Sequence, residues 1–226
     1  MTPRELQVFN HLAQFVSEHK KQFIDKVLGE RTRHLTIVLE NIYQSQNASA
    51  VVRTCECMGI QDVHIIENTA KYLLNVRVLK GAYKWMNMER YNERGVNNTE
   101  TCYKKLRDNG YKILVADPDP DGVSIHEVDV DQKLAVVFGN ELRGVSSYAL
   151  AHADQKVRIP MYGFTESLNI SVSAAICVNS VINRFRSSGV SFGLSEAEKE
   201  SLKLEWYRKV VKRSDLIERE FLRAIE

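Results

Sequence analysis

Three groups of polar residues have types and a spacing that could act on a polar ligand. In chain order they are Asn47 with Arg53; Glu141, inside the segment 139–144; and Ser167 with Asn169. Each has a simpler structural reading when taken alone. Asn47 and Ser167 could cap helices, Arg53 could form a surface ion pair, and Glu141 could be solvated. Their joint placement along the chain is what indicates a functional site.

That placement follows from the elements predicted around the three groups. Strands are predicted at residues 35–39, 134–138 and 156–159, and each polar group lies in a loop that follows one of them. If these strands are neighbours in a parallel sheet, the loops line one crevice, which is where α/β proteins bind ligands. The glycines of segment 139–144 would let the backbone approach a ligand closely. The segment has neither the pattern of a phosphate-binding loop nor that of a dinucleotide-binding turn.

The whole chain predicts an α/β fold with about six mostly parallel strands and helices on both faces. Further strands are predicted at 63–66, 86–91 and 112–116, and helices at 2–28, 48–58 with Asn47 as cap, 99–109 and about 147–153. The strongest helical pattern follows Asn169. Its apolar residues recur at three- and four-residue spacing: Ile170, Ala174, Cys177, Val178, Val181, Ile182 and Phe185.

Composition sets limits on the class of protein. A chain of 226 residues is long enough for one α/β domain with extensions, and no apolar run approaches the roughly 18 residues of a membrane span. The N-terminus lacks a signal-peptide pattern, and the four cysteines lack the spacing of a metal site. We therefore expect no membrane association, no metal and reduced thiols in the cytoplasm. The aspartates of segment 117–122 are interpreted as a turn because two prolines lie among them.

Two basic segments could contact nucleic acid although the net charge is only +2. The first contains Lys71, Arg77, Lys80 and Lys84, interleaved with Tyr72, Tyr83 and Trp85. The second, residues 206–213, contains Arg208, Lys212 and Arg213 beside Trp206 and Tyr207. Basic residues next to aromatic ones suit phosphates and unstacked bases. The alternative interpretation of each segment is a solvated charged face.

Three sequence motifs resemble, in order, those of the SpoU-type branch of the SPOUT RNA methyltransferases. They are Asn-Ala-Ser-Ala-Val-Val-Arg-Thr-Cys at 47–55, Phe-Gly-Asn-Glu-Leu-Arg-Gly-Val-Ser at 138–146, and Ile-Pro-Met-Tyr-Gly-Phe-Thr-Glu-Ser-Leu-Asn-Ile-Ser-Val-Ser at 159–173. The resemblance covers roughly residues 34–186. It implies a deep trefoil knot, an exception to the rule that chains avoid knots, and a homodimer with its active site near the subunit interface. It divides the chain into an N-terminal helical extension (1–33), the knot domain (34–188) and a C-terminal helical extension (189–226).

The resemblance also implies a cofactor and a reaction. S-adenosylmethionine would bind around Ala116, Gly139, Ile159, Met161 and Leu168, and a methyl group would pass to a ribose 2′-hydroxyl. Within the family the chain most resembles the branch that modifies the D-loop guanosine at tRNA position eighteen.

The resemblance assigns roles to the polar residues as well. Arg53 matches the family's catalytic arginine. A guanidinium resists deprotonation, so its expected role is to bind a phosphate and orient the ribose. Asn47 would position Arg53 and the substrate, and Glu141, Ser167 and Asn169 would shape the crevice. Residues 71–85 and the terminal helices would contact tRNA.

Three other functions remain open at this stage. Ribosomal RNA methyltransferases of the same family often carry an RNA-binding domain before the knot, whereas only 33 residues precede it here. Wobble-position tRNA methyltransferases usually lack terminal extensions. The tail beginning at Leu194 resembles that of the D-loop branch but lacks its longer basic run after Arg213, and the second motif has the general form of the superfamily.

The alternative from another class is a non-catalytic RNA-binding relative, which predicts loss of Arg53 or of the Ser167–Asn169 motif.

Overall fold

The computed structural model describes residues 1–73 and 75–225, and two units divide the chain. The larger unit is Thr32–Phe192, and the smaller one combines Met1–Arg31 with Gly193–Glu226. The two terminal extensions predicted separately therefore belong to one unit. Leu74, inside the first basic segment, and Glu226, the last residue of the predicted C-terminal extension, lie outside the described residues.

The larger unit is built on a parallel sheet. Its strands are β1 Leu35–Glu40, β2 Asp62–Ile66, β3 Asn87–Tyr91, β4 Tyr111–Ala116, β5 Val123–Ser124, β6 Lys133–Phe138 and β7 Gln155–Arg158. Their order across the sheet is β3-β2-β1-β6-β4-β7-β5, and every pair is parallel. The predicted count of about six strands was wrong by one. The additional strand, β5, has only two residues, too few to show any periodicity in the sequence.

The helices follow the strands in the alternation expected of an α/β fold. In chain order they are α1 Pro3–Ala13, α2 Glu18–Gly29, α3 Ser45–Cys57, α4 Val76–Leu79, α5 Asn98–Asp108, α6 Ser147–Ala151, α7 Ile170–Ser188, α8 Glu196–Val210 and α9 Ser214–Ile225, with a 3-10 turn at Ala82–Lys84. All seven apolar residues predicted to form the stripe of α7 are buried. No helix in the described parts of the chain has both the length and the apolar character to cross a membrane.

Two apolar clusters cover the two faces of the sheet. On one face, α3 and α7 contribute Val51, Val52, Val178 and Val181 to a cluster with alternate residues of the central strands. On the other face, α5 and α6 contribute residues such as Leu106 and Ala149. Because both faces are covered, β1 and β6 read in the sequence as nearly continuous apolar runs. Buried strands of this kind hold the loops at their carboxyl ends in place.

The predicted N-terminal helix at 2–28 is two helices. Ser17 caps α2 by accepting a hydrogen bond from the amide of Lys20 at 3.4 Å, and Thr2 caps α1 in a capping box with Glu5. Each helix buries one face of its own, with Val8 and Leu12 in α1 and Ile24 and Leu28 in α2. Within the small unit, Phe9 stacks on Tyr207 at 4.9 Å between ring centroids. Ser17 followed by Glu18 was the sequence signal for the break.

Candidate active site

The side chain of Asn47 connects the three predicted loops. Its Nδ2 donates to Oε1 of Glu141 at 3.1 Å, and its Oδ1 accepts a hydrogen bond from Nδ2 of Asn169 at 3.2 Å. Asn169 in turn caps α7, accepting from the backbone amide and the hydroxyl of Ser171 at 2.8 and 2.6 Å. One residue from each group thus belongs to a single hydrogen-bonded chain. Such a chain holds the loops in one relative arrangement.

Asn47 does not cap its helix, which corrects the sequence-based prediction. Helix α3 begins at Ser45 with Gln44 at the cap position, where the Gln44 side chain makes no capping hydrogen bond. Glu141 accepts hydrogen bonds from the amides of Tyr43 and Gln44 at 3.0 and 3.2 Å instead. A carboxylate is favoured at a helix start, where backbone donors lack partners. Asn47, one turn further on, is therefore free to bridge Glu141 and Asn169.

The pKa of Glu141 lies below its ordinary value. Burial by itself would raise this pKa, but the hydrogen bonds from the Asn47 side chain and from the amides of Tyr43 and Gln44 outweigh burial and lower it. Glu141 is therefore ionised at neutral pH. The interpretation of Glu141 as a solvated surface residue is wrong, because its carboxylate anchors the start of α3.

The loop that carries Glu141 is held by a close backbone approach. A Cβ atom added to Gly139 would lie 2.2 Å from the carbonyl carbon of Gly144 and 2.2 Å from the amide nitrogen of Val145, so only glycine fits. Asn140 pairs with Gly144 through two backbone hydrogen bonds of 2.8 and 2.9 Å, and Gly144 has a φ of 67°. Both glycines are thus required by the shape of the loop.

A cavity of about 530 Å³ opens at the carboxyl ends of β4, β6 and β7. Ala116, Gly139, Ile159, Met161 and Leu168, the residues predicted to bind a cofactor, all line it. Asn47, Glu141, Ser167 and Asn169 line it as well. The tertiary structure therefore brings together nine residues that were selected from separate parts of the sequence.

The acidic lining of this cavity was not predicted. Its carboxylates belong to Asp117, Glu141 and Glu166, and no Lys, Arg or His is among the described residues that line it. Asp117 and Glu166 lie in segments that the sequence marks only as a turn and a loop. A cavity with this lining favours a positively charged ligand.

Arg53 is the exception among the predicted catalytic residues. It lies on an exposed face of α3 and does not line the cavity. Within residues 1–73 and 75–225 its guanidinium has no hydrogen-bond or ion-pair partner. The simpler reading of Arg53 as a member of a surface ion pair is therefore not supported. A free guanidinium on this helix is available to a ligand from outside the chain.

The predicted RNA contacts have mixed environments. Lys71, Arg77, Lys80, Lys84, Lys212 and Arg213 are exposed. Arg208 instead forms a bidentate ion pair with Glu218, at 2.9 and 2.7 Å. The idea of interleaved stacking aromatics is wrong for Tyr72, which is buried with its hydroxyl 3.1 Å from Oγ of Ser49, and for Trp206 and Tyr207, which are buried in the small unit.

Two residues that were not predicted from the sequence, Glu40 and Asn41, hold the loop that carries Glu141 in place. Glu40, buried at the end of β1, accepts hydrogen bonds at 2.7 Å from both the amide and the hydroxyl of Ser146. Asn41, with a φ of 54°, uses its carbonyl to accept from Nδ2 of Asn140 at 2.7 Å. A charged residue that ends an apolar strand, followed by an asparagine that tolerates positive φ, was the available signal.

Among the described residues, no group of three or more His, Cys, Asp or Glu side chains is arranged to hold a metal ion. The turn at 117–122 is held by its own side chains. Asp117 accepts from the amide of Asp119 at 2.9 Å, and Asp119 accepts from the amide of Asp121 at 3.1 Å. All four cysteines are free thiols.

Comparison with known proteins places this geometry in context. Residues 34–179 match the SpoU rRNA Methylase family. The chain is 44% identical over 207 residues to a tRNA (guanosine(18)-2'-O)-methyltransferase of Borreliella burgdorferi, covering 92% of this chain and 93% of that one. Similarity extends to the crystal structure of the Aquifex aeolicus TrmH/SpoU tRNA modifying enzyme, with 30% identity, a TM-score of 0.75, and coverage of 86% of this chain and 98% of that chain. The AviRb methyltransferase of Streptomyces viridochromogenes, solved with AdoMet, shares the fold at 21% identity with a TM-score of 0.60, covering 73% of this chain and 62% of that chain.

Proposed function

The chain belongs to the SpoU rRNA methylase family, and we propose that it transfers a methyl group from S-adenosylmethionine to the 2′-hydroxyl of the D-loop guanosine at tRNA position eighteen. The observation that carries this proposal is the cavity at the sheet edge, where Asn47 joins the three motif loops. The similarity to tRNA (guanosine(18)-2'-O)-methyltransferases over nearly the whole chain supports tRNA as the substrate.

The cavity has properties that fit S-adenosylmethionine. Its volume of about 530 Å³ is in the range of small-molecule sites. Apolar groups of Ala116, Val157, Ile159 and Leu168 form part of its wall, as suits an adenine ring and an aliphatic chain. The carboxylates of Asp117, Glu141 and Glu166 suit a ligand that carries a sulfonium and an ammonium group. When bound, this cofactor supplies a methyl group already activated by the positive charge on sulfur.

The protein's contribution is to bind and to orient. The linked side chains of Asn47, Glu141 and Asn169 hold the loops rigid, so that the ribose hydroxyl meets the methyl group along one direction. The hydroxyl of Ser167, exposed on the cavity wall, is placed to contact the ribose. Because Arg53 lies outside the cavity and carries a free guanidinium, we assign it to a phosphate of the RNA next to the target ribose.

A homodimer is part of the proposal. Large apolar side chains are exposed on all three loops that border the cavity: Tyr43 at 72%, Leu142 at 86%, Tyr162 at 97% and Phe164 at 108%. Val172, in the first turn of α7, is 45% exposed. Apolar surface of this kind is typical of a surface that another protein covers. Sedimentation of the wild type at micromolar concentration tests the assembly, and a strictly monomeric, active enzyme would contradict it.

The trefoil knot and the cytoplasmic location are also proposals. The knot is supported by the chain path, since the chain leaves β6 at the sheet centre, crosses β4 to β7, and returns with α7 against α3. A crystal structure traced through residues 138–175 tests the knot.

Free cysteines and a tRNA substrate support a cytoplasmic location. Fractionation of the cells that make the protein tests this location.

The experiment that tests the function is methyl transfer from labelled S-adenosylmethionine to unmodified tRNA transcripts, followed by mapping of the modified nucleotide. We expect one ribose methyl on the D-loop guanosine, and none on a matched transcript with adenosine at that position. Methylation at another tRNA nucleotide, or of ribosomal RNA alone, would keep the reaction and change the substrate. Binding of tRNA without transfer to any RNA would favour the non-catalytic relative.

A further inference from the structure

A second cavity lies at the same edge of the sheet, beyond the carboxyl ends of β2 and β3. Its volume is about 920 Å³, and segments 67–71 and 92–98 form its two walls. We name it the β2–β3 groove. We propose that the β2–β3 groove binds the sugar–phosphate backbone of the tRNA substrate a few nucleotides away from the methylated ribose. This inference rests on the proposed function and adds a binding site to it.

The floor of the groove is rigid and electrically neutral. Arg90 donates from Nε and Nη2 to the two carboxylate oxygens of Glu67 at 2.8 and 2.7 Å, and it also donates to the carbonyl of Tyr72 at 2.9 Å. The side chain of Glu67 is only 2% exposed. Burial by itself would raise the pKa of Glu67, but the hydrogen bonds from Arg90 and from the amide of Tyr72 outweigh it and lower that pKa. Neither charge of this pair is left over for a ligand.

The charges that are available to a ligand lie on the two walls of the groove. Lys71 on one wall and Arg94 on the other are exposed, and neither has an ion-pair partner among the described residues. Glu93 is the one exposed carboxylate among the described groove residues, so the groove keeps a net charge of about +1. Two free cations on opposite walls suit the phosphates of a strand that runs between them.

The amide side chains of the groove suit an RNA strand better than a free anion. Asn92 and Asn97 are exposed on its walls, and Oδ1 of Asn92 and Nδ2 of Asn97 can contact sugars and base edges. Both polar groups of the Asn68 side chain are instead used by Thr99 and Asn98. The groove is also much larger than a single phosphate. Its open polar shape therefore matches a stretch of nucleotides.

The position of the groove relative to the candidate active site supports the same conclusion. Strands β2 and β6 are separated by β1 alone, and β3 and β4 by three strands. At roughly 4.8 Å per strand, the groove and the cavity lie roughly 10 to 20 Å apart along one edge of the sheet. A few nucleotides of one RNA strand span that distance.

Asn41 connects the groove to the active site directly. Its Oδ1 accepts a hydrogen bond from the amide of Thr69 in the groove wall at 2.8 Å, while its carbonyl accepts from Asn140 beside the cavity at 2.7 Å. The two sites are therefore held at one spacing by a single residue at the end of β1. A fixed distance between the groove and the cavity sets how many nucleotides of the RNA strand separate the bound backbone from the methylated ribose.

The test uses the full-length protein and the double variant Lys71→Ala/Arg94→Ala, with Lys104→Ala/Lys112→Ala as control. Lys104 and Lys112 have no ion-pair partner among the described residues and lie outside the groove. Direct binding of fluorescent tRNA is measured over a range of salt concentrations, beside KM for tRNA and for S-adenosylmethionine. We expect the groove variant to weaken tRNA binding about tenfold and to reduce the salt slope of log K by about 1.4, from about 0.7 per lost phosphate contact.

The outcomes separate this inference from the proposed function. An unchanged tRNA affinity and salt slope in the groove variant, with methylation by the wild type intact, would overturn the groove and leave the function standing. A wild type that binds tRNA through the groove but methylates no RNA would instead contradict the function. If the double variant does not fold, Arg94→Gln alone decides, and it is expected to lower the affinity and the slope by about half as much on a logarithmic scale.

Discussion

The side chain of Asn169 donates a hydrogen bond to the side chain of Asn47 across 3.2 Å, joining the start of α7 to the first turns of α3. The two residues are 122 positions apart in the chain. The same Asn47 binds Glu141, 94 positions away. An amide that accepts from one loop and donates to another makes the position of each loop depend on the other.

Replacing Asn47 with alanine is expected to loosen the site. Asn47→Ala leaves Asn169 and Glu141 each without one partner, so we expect the free energy of unfolding to fall by about 1 to 3 kcal/mol. Misplacement of the loops would reduce kcat by about 100-fold. Urea unfolding and steady-state methyl transfer measure the two effects.

The control for Asn47 is Asn183→Ala on the exposed face of α7. Asn183 donates to Asn179 at 3.2 Å within its own helix, far along the chain from the cap. Its loss is expected to change stability by less than about 0.5 kcal/mol and to leave kcat unaltered. Equal effects of the two substitutions would contradict a special role for Asn47.

The pH dependence of stability should report Glu141. Its pKa in the folded protein is below its ordinary value of 4.5, so its contribution to stability is fully present above pH 4.5 and is lost as pH falls through the folded-state pKa. We expect Glu141→Gln to lower the free energy of unfolding by about 1 to 2 kcal/mol at neutral pH, since an amide cannot accept as strongly from two backbone donors.

The difference in the free energy of unfolding between Glu141→Gln and the wild type is expected to shrink as pH falls below 4.5. Denaturant unfolding at a series of pH values measures this. Glu166→Gln is the matched control, because Glu166 lines the same cavity but is exposed and has no hydrogen-bond partner among the described residues. If the difference in the free energy of unfolding between Glu141→Gln and the wild type stays constant with pH, the Glu141 carboxylate does not stabilise the fold through a lowered pKa.

Gly139→Ala tests the close backbone approach. The added Cβ would lie 2.2 Å from backbone atoms of Gly144 and Val145, which cannot yield as a flexible side chain would. We expect a loss of about 1 to 3 kcal/mol in stability and weaker cofactor binding, because the loop that lines the cavity must shift. Thermal unfolding and calorimetric titration with S-adenosylmethionine measure the two. Gly163→Ala, where an added Cβ meets nothing within 4 Å, is expected to be as stable as the wild type.

Arg53→Ala tests the separation between cofactor binding and substrate alignment. Arg53 lies outside the cavity, so we expect turnover to fall by at least about 100-fold while the affinity for S-adenosylmethionine stays within about twofold. Arg53→Lys keeps the charge but loses the planar fork, and is expected to recover only part of the activity. A parallel loss of cofactor affinity in Arg53→Ala would show that Arg53 acts on the cavity after all.

Local patterns in the sequence were enough for most of the helices and strands and for the family. The stripe of α7 and the apolar runs of β1 and β6 were predicted because burial imposes a period on each element by itself. The motifs around Asn47, Glu141 and Asn169 identified the chemistry for a similar reason, since their residue types and order are read along the chain.

Only the tertiary structure decided how those residues act. Asn47 looks like a cap in sequence, yet Glu141 supplies the carboxylate at the start of α3 and frees Asn47 to bind Asn169. Tyr72 looks like a stacking residue, yet it is buried. The β2–β3 groove has no motif at all, because its walls come from loops that meet only when β2 and β3 pair. Periods and caps depend on neighbours within a few residues, whereas these contacts join residues tens of positions apart and exist only once the sheet has brought its strand ends together.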